Sequence, residues 1–202
     1  MDETYHSVHG AAQESMHVFI RNGLDFFAAK NPGATIRIFE VGFGTGLNAL
    51  LAAQSNRRVN YTAIEAFPLS EEIYSQLNYE PGDLLISLHR NPQLQFANFT
   101  FRKIITTLQS ISLTPEEFDL IFFDAFAPSK QPAMWELPMI RKVCDALRPG
   151  GLFVTYCAKG QLKRDLKSVG MEVETLPGPP GKKEMVRATK PTPGGPQLSQ
   201  KS

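Results

Sequence analysis

The sequence predicts a doubly wound α/β domain with a mostly parallel, seven-stranded sheet. Three observations carry this. Strand-like and helix-like segments alternate along most of the 202 residues, the pattern of βαβ units. Several strand-like segments are continuously apolar, as in Leu120-Ile-Phe-Phe123, which fits parallel strands covered on both faces. A glycine loop, Gly42-Phe-Gly-Thr-Gly46, stands between the first strand and a helix.

The elements follow in order. An amphipathic helix over Glu14–Ala29 is stopped by Asn31-Pro32-Gly33. Ile36–Val41 reads as a buried strand and Leu47–Ser55, rich in Leu and Ala, as the helix after the glycine loop. Tyr61–Glu65 is a second strand, with a helix after Pro68. Phe99–Ile104 is a third strand and Phe118–Asp124 a fourth. Met134–Leu147 is a helix that Pro149-Gly150-Gly151 ends, and Leu152–Cys157 is the next strand. A helix over Gln161–Val169 and two late strands, Met171–Leu176 and Glu184–Thr189, complete the pattern. One domain is expected over 1–190, with 1–33 as an N-terminal helical strap. The stretch 191–202, Pro-rich and polar, is expected to be disordered.

Composition is that of an ordinary globular protein, 42% apolar and 20% charged with a net charge of +1. No apolar run reaches the roughly 20 residues of a membrane span, and the acidic, polar start does not read as a secretory signal. Two cysteines give no disulfide framework and fit a reducing cytoplasm. Neither they nor His6, His9, His17 and His89 form a metal pattern, so no metal is expected. Charge is uneven. Residues 1–123 carry 8 Lys/Arg against 13 Asp/Glu, and residues 124–202 carry 13 against 7. A basic half can attract a polyanion such as RNA, or be a lopsided solvated surface.

Open α/β sheets bind ligands at the carboxyl ends of their strands, and three polar signals fall there. The first is Glu40-Val-Gly-Phe-Gly-Thr-Gly46, where glycines permit a tight turn and close approach of backbone to ligand. The second is Glu65, 23 residues after Gly42, placed to accept hydrogen bonds from ribose hydroxyls. The third is Asp124. Together they point to a nucleoside cofactor. The dinucleotide pattern wants a glycine at position 47, which is Leu. The G-x-G-x-G form therefore favours S-adenosylmethionine over a nicotinamide cofactor. Glu40 either is a buried hydrogen-bonding acid or orients the loop or the methionine amine.

The segment Asp124-Ala-Phe-Ala-Pro-Ser-Lys-Gln-Pro-Ala-Met-Trp-Glu136 is more specific. It resembles the signature of the tRNA wobble-uridine methyltransferases of the MnmC/MnmD type. Tyr5-His-Ser7, Glu14 and Val18-Phe19 resemble that family's opening motif. Phe43-Gly-Thr-Gly-Leu-Asn48, Glu65-Ala-Phe-Pro-Leu69 and Lys182-Lys-Glu-Met185 resemble three more of its motifs. One departure is Asn98–Lys103, which has no acid where the family often carries one near the adenine amine.

The resemblance implies a Rossmann-like class I methyltransferase that uses S-adenosylmethionine. It would methylate the amine of 5-aminomethyl-2-thiouridine in tRNA to give 5-methylaminomethyl-2-thiouridine. In some members a flavin-dependent oxidase domain is fused, and this chain is too short to hold one. The resemblance therefore implies a stand-alone methyltransferase, cytoplasmic, with tRNA as partner and a separate oxidase or upstream wobble-uridine enzymes as possible others. It implies Asp124 as the catalytic acid or base. Glu40, Gly42, Gly44, Gly46, Asn48, Glu65 and Phe67 would hold the cofactor. Tyr5, Ser7, Phe126, Pro128, Lys130 and Trp135 would meet the substrate, with Trp135 either stacking on the uracil or anchoring its helix. Lys163 and Arg164, with Lys159 and Lys167, recur at near-helical spacing and either face phosphates or form a solvated helix face. Three other functions are weighed: a small-amine methyltransferase, a nicotinamide-dependent oxidoreductase, and a non-catalytic S-adenosylmethionine-binding partner.

Overall fold

A computed structural model describes residues 10–194. The strands are β1 (Ile36–Val41), β2 (Val59–Glu65), β3 (Gln93–Phe96), β4 (Phe99–Ile105), β5 (Phe118–Phe123), β6 (Leu147–Thr155), β7 (Glu172–Pro177) and β8 (Glu184–Thr189). The helices are α1 (residues 10–30), α2 (Leu47–Ala53), α3 (Glu71–Tyr74), α4 (Gly82–Arg90), α5 (Leu137–Asp145) and α6 (Gly160–Ser168). They form one eight-stranded sheet in the order β3-β4-β2-β1-β5-β6-β8-β7. β4, β2, β1, β5 and β6 are parallel, and β3, β8 and β7 are joined by antiparallel pairings.

Alternate residues of the central strands serve opposite faces, as strand geometry requires. Ile36, Ile38, Leu120 and Phe122 join the core under α1, α2 and α4. Phe39, Val41, Ile121 and Phe123 join the core under α5 and α6. The middle of α1, Met16–Asp25, is π-helical. Gly23 brings this segment onto the sheet. A Cβ there would lie 3.1 Å from the Phe122 ring and 3.2 Å from Val154.

All seven expected strands are present, and β3 adds an eighth. It pairs only with β4, at the edge of the sheet. Two boundaries differ from expectation. The helix expected over Met134–Leu147 is split into a 3-10 turn, Pro132–Trp135, and α5. β6 begins at Leu147, because Pro149-Gly150-Gly151 continues the strand instead of ending the helix. Gly150 N–H donates to Lys190 O at 2.7 Å, and Lys190 N–H donates to Gly151 O at 2.9 Å. No helix among the described residues is long and apolar enough to cross a membrane.

Candidate active site

Three strand ends meet at the centre of the sheet. Val41 is in register with Ile64 on one side and with Phe123 on the other. The residues that follow these three are Gly42, Glu65 and Asp124, so the polar signals converge where the strand order reverses.

The glycine loop is tied back to the sheet. Gly42 and Phe43 N–H groups donate to Ile64 O at 3.2 and 3.1 Å. Gly42 has φ +89°, and a Cβ there would lie 2.9 Å from Asp124 O. Only glycine lets the loop pass β5 this closely. Glu65 braces the loop from the far side. Its Oε2 accepts from Gly44 N–H and its Oε1 from Phe67 N–H, each at 2.9 Å. Behind the loop, His89 Nε2 lies 3.0 Å from Thr45 O, and its ring stacks on Tyr74 at 4.6 Å. Burial lowers the His89 pKa.

Beneath the loop lies a buried polar cluster. Asn48 Nδ2 donates to Glu40 Oε1 and to Asp124 Oδ2, each at 2.9 Å. Glu40 is fully buried, and burial, then the nearby Asp124, holds its pKa well above the usual carboxylate range. Burial pushes Asp124 up to about 7; the Asn48 hydrogen bond and Lys182 pull it down, and Glu14 pushes it up. The buried Tyr61 hydroxyl faces Glu40, whereas Asn48 Oδ1 has no protein hydrogen-bond partner, an arrangement a buried polar atom keeps only at a cost unless a ligand or water meets it.

Above these groups opens a cleft of about 740 Å³, within the range of roughly 300–1,000 Å³ typical of small-molecule sites. Gly42, Gly44, Asn48, Glu65, Phe67, Asp124 and Phe126 line it. Phe67 and Phe126 are 78% and 72% exposed, so both present open ring faces to the cleft mouth. Other expected residues stand apart. Glu40 lies under the floor and reaches the cleft only through Asn48. Gly46, Pro128 and Lys130 are outside the lining. Trp135 is 8% exposed, its Nε1–H donates to Phe126 O at 2.8 Å, and its ring meets Phe123 edge-on. It therefore anchors the loop from below and offers no face for stacking. Lys163 pairs with Glu184 at 2.9 Å and Arg164 bonds Gln161 at 2.7 Å, both away from the cleft. Tyr5 and Ser7 lie outside the described residues.

The structure also brings in residues the sequence did not single out for roles. Thr106, Thr107 and Gln109 follow β4 and form one wall, and no carboxylate stands among them. Glu14, Tyr156 and Lys182 also line the cleft. Tyr156 follows the apolar run of β6, so the strand-end rule that found Asp124 could have found it too. No group of three His, Cys, Asp or Glu among the described residues could hold a metal ion.

Residues 74–191 match the model of a family described as S-adenosyl-L-methionine-dependent methyltransferase. The chain belongs to this family. The cofactor of the methyltransferase is accordingly S-adenosylmethionine, and the residues present fit it. The cleft has apolar walls, a carboxylate at Glu65 near the glycine loop, and the unpartnered buried acceptor of Asn48 in its floor.

Curated relatives include proteins described as the tRNA 5-methylaminomethyl-2-thiouridine biosynthesis bifunctional protein MnmC. That of Chromobacterium violaceum is 31% identical over 200 residues, covering 87% of the methyltransferase and 30% of the relative. That of Pseudomonas fluorescens is 28% identical over 209 residues, covering 92% and 32%. The methyltransferase thus spans about a third of the length of these relatives. Among solved structures, MNMC2 from Aquifex aeolicus shares the fold with a TM-score of 0.73 and 23% identity, covering 91% of the methyltransferase and 62% of that chain. A methyltransferase from Pyrococcus furiosus shares it with a TM-score of 0.55 and 16% identity, covering 83% and 81%. The resemblance to the MnmC type read from the sequence is borne out.

Proposed function

We propose that the methyltransferase acts on the primary amine of 5-aminomethyl-2-thiouridine at the tRNA wobble position, forming 5-methylaminomethyl-2-thiouridine. The observation that carries this reading is Asp124. Its carboxyl group, pushed to about 7 by burial, lines a cleft beside the open ring of Phe126. An amine must be neutral to attack a methyl group, and an acceptor that titrates near neutrality is matched to taking up its proton. The description of the MnmC relatives as tRNA 5-methylaminomethyl-2-thiouridine biosynthesis proteins supports the substrate.

S-adenosylmethionine supplies an activated methyl group on a sulfonium. Glu65 would hold ribose hydroxyls with the lone pairs left by Gly44 and Phe67, and Asn48 would line the methionine end. Adenine recognition falls to the wall of Thr106, Thr107 and Gln109. Phe126 stacks on the uracil, and Asp124 orients the amine and holds its proton. The free amine on the tRNA has to be supplied by another activity, that of an oxidase or of an upstream wobble-uridine enzyme.

One observation supports a second reading, methylation of a small free amine. The cations expected to face phosphate, Lys163 and Arg164, are engaged within the protein. Single-turnover transfer of labelled methyl to tRNA bearing the free amine separates the two. Transfer to the tRNA supports the first. No transfer to tRNA with transfer to a free alkylamine establishes the second.

A further inference from the structure

The cleft already seats an ammonium group. Lys182, in the turn between β7 and β8, places Nζ 2.7 Å from Glu14 Oε1 on α1 and 3.9 Å from the centre of the Tyr156 ring. The Tyr156 ring is fixed, because its hydroxyl donates to Ala125 O at 2.8 Å, next in sequence to Asp124. Glu14, Asp124, Tyr156 and Lys182 all line the same cleft. Among the described residues, the other lysine and arginine pairs, such as Arg57–Asp25 and Arg90–Glu71, join residues outside it.

A carboxylate on one side and an aromatic face on the other form a cradle for an organic cation. The ring attracts positive charge through its quadrupole, and the carboxylate fixes the N–H direction. We propose that the Glu14–Tyr156 cradle beside Asp124 is the seat of the substrate's alkylammonium group, and that Lys182 fills it as a built-in surrogate which the incoming amine displaces. The proposal rests on the amine-methyltransferase reading above.

The exchange makes and breaks no bond. One primary ammonium leaves the Glu14 carboxylate and another takes its place, so the charge in the cleft is conserved. Lys182 is suited to leaving, being 37% exposed on a flexible stem in a turn. The device also selects. A nucleoside whose 5-substituent is neutral would leave Glu14 without the cation it gives up, whereas an aminomethyl group restores it. Sites that lose a polar partner reject the analogue that lacks it. The seat shares the cleft with Asp124, and Tyr156 is bonded to Ala125 O, the next residue in the chain.

The test uses methylammonium chloride as probe, with the purified full chain, saturating S-adenosylhomocysteine and constant ionic strength set with sodium chloride. Binding is read by saturation-transfer NMR. With the surrogate removed, Lys182→Met binds methylammonium roughly two- to fivefold tighter than the wild type, the strength of an exposed ion pair that no longer competes. Glu14→Gln binds it more weakly than the wild type. Lys182→Gln provides the same comparison should the Met variant not fold, and S-adenosylhomocysteine affinity checks folding in each. Unchanged or weaker methylammonium binding in the Lys182 variant overturns the proposal. These readouts need no tRNA. If the wild type fails to methylate tRNA while the Lys182 variant gains methylammonium affinity, the tRNA reading falls and the ammonium seat stands.

Discussion

The side-chain amide of Asn48 holds Asp124 Oδ2 at 2.9 Å while the same nitrogen holds Glu40 Oε1 at 2.9 Å. The fully buried Glu40 and the half-buried Asp124 at the cleft are thus yoked through one amide, and that amide favours the ionised form of Asp124. Asn48→Ala should therefore raise the pKa of Asp124 further. The acid limb of the pH profile of kcat moves to higher pH, and the fold loses about 1–3 kcal/mol from the acceptors left unpaired. A profile that stays in place would separate Asn48 from the titration of Asp124.

Asp124→Asn should fold, since Asn can still accept from Asn48, and should retain S-adenosylhomocysteine binding. Methyl transfer falls by ~100-fold or more, the scale of a positioned acid–base group. In the wild type, activity should rise through about pH 7, where Asp124 titrates. Stability runs the other way. The folded pKa, about 7, lies above the ordinary 3.8, so this group's contribution is fully present below the ordinary value and is lost as pH rises through about 7. Thermal melts should accordingly show Asp124→Asn gaining on the wild type between pH 4 and pH 8. A constant difference across that window would count against a buried, ionising Asp124.

Glu65 has two duties, bracing Gly44 and Phe67 and facing the cleft. Glu65→Ala should weaken S-adenosylhomocysteine by roughly 1–3 kcal/mol, the cost of losing hydrogen bonds to a charged acceptor. Equal affinities by calorimetry would remove Glu65 from the cofactor site.

At the opposite end of the strands, Asp119 is 1% exposed. It accepts from Arg37 N–H at 2.7 Å and pairs with the guanidinium groups of Arg37 and Arg148. Asp119→Ala takes away the acceptor of a backbone N–H and two partly exposed guanidinium groups, so it should lose about 1–3 kcal/mol of stability in chemical denaturation. Cofactor affinity of the folded fraction should not change, because none of the three lines the cleft. A melting curve matching the wild type would show that the two arginines are satisfied without Asp119.

The seven expected strands and the convergence of Gly42, Glu65 and Asp124 were legible because each signal is local. An apolar run declares a buried strand, and the residue that ends it falls at the sheet's carboxyl edge. What escaped depends on partners distant in sequence. β3, Gln-Leu-Gln-Phe, is an edge strand with little apolar signal, visible only against β4. The near-helical spacing of Lys163 marks a helix face but does not show that Glu184 meets it from β8. For Trp135, nothing in the local pattern shows that the indole N–H reaches back to Phe126 O. Glu14 and Lys182 belong to separate sequence motifs, and their meeting depends on α1 and the β7–β8 turn sharing one rim of the cleft.

That meeting joins positions 168 residues apart, which fixes the order in which the site can be built. During synthesis the glycine loop, Glu65 and Asp124 leave the ribosome well before Lys182 does. A nascent chain halted near residue 170 would carry the cofactor wall of the cleft but neither the β7–β8 turn nor β8, which pairs with both β6 and β7. Closing so long a loop is slow. Activity should therefore appear late in refolding, after the parallel strands have gained their protection from hydrogen exchange.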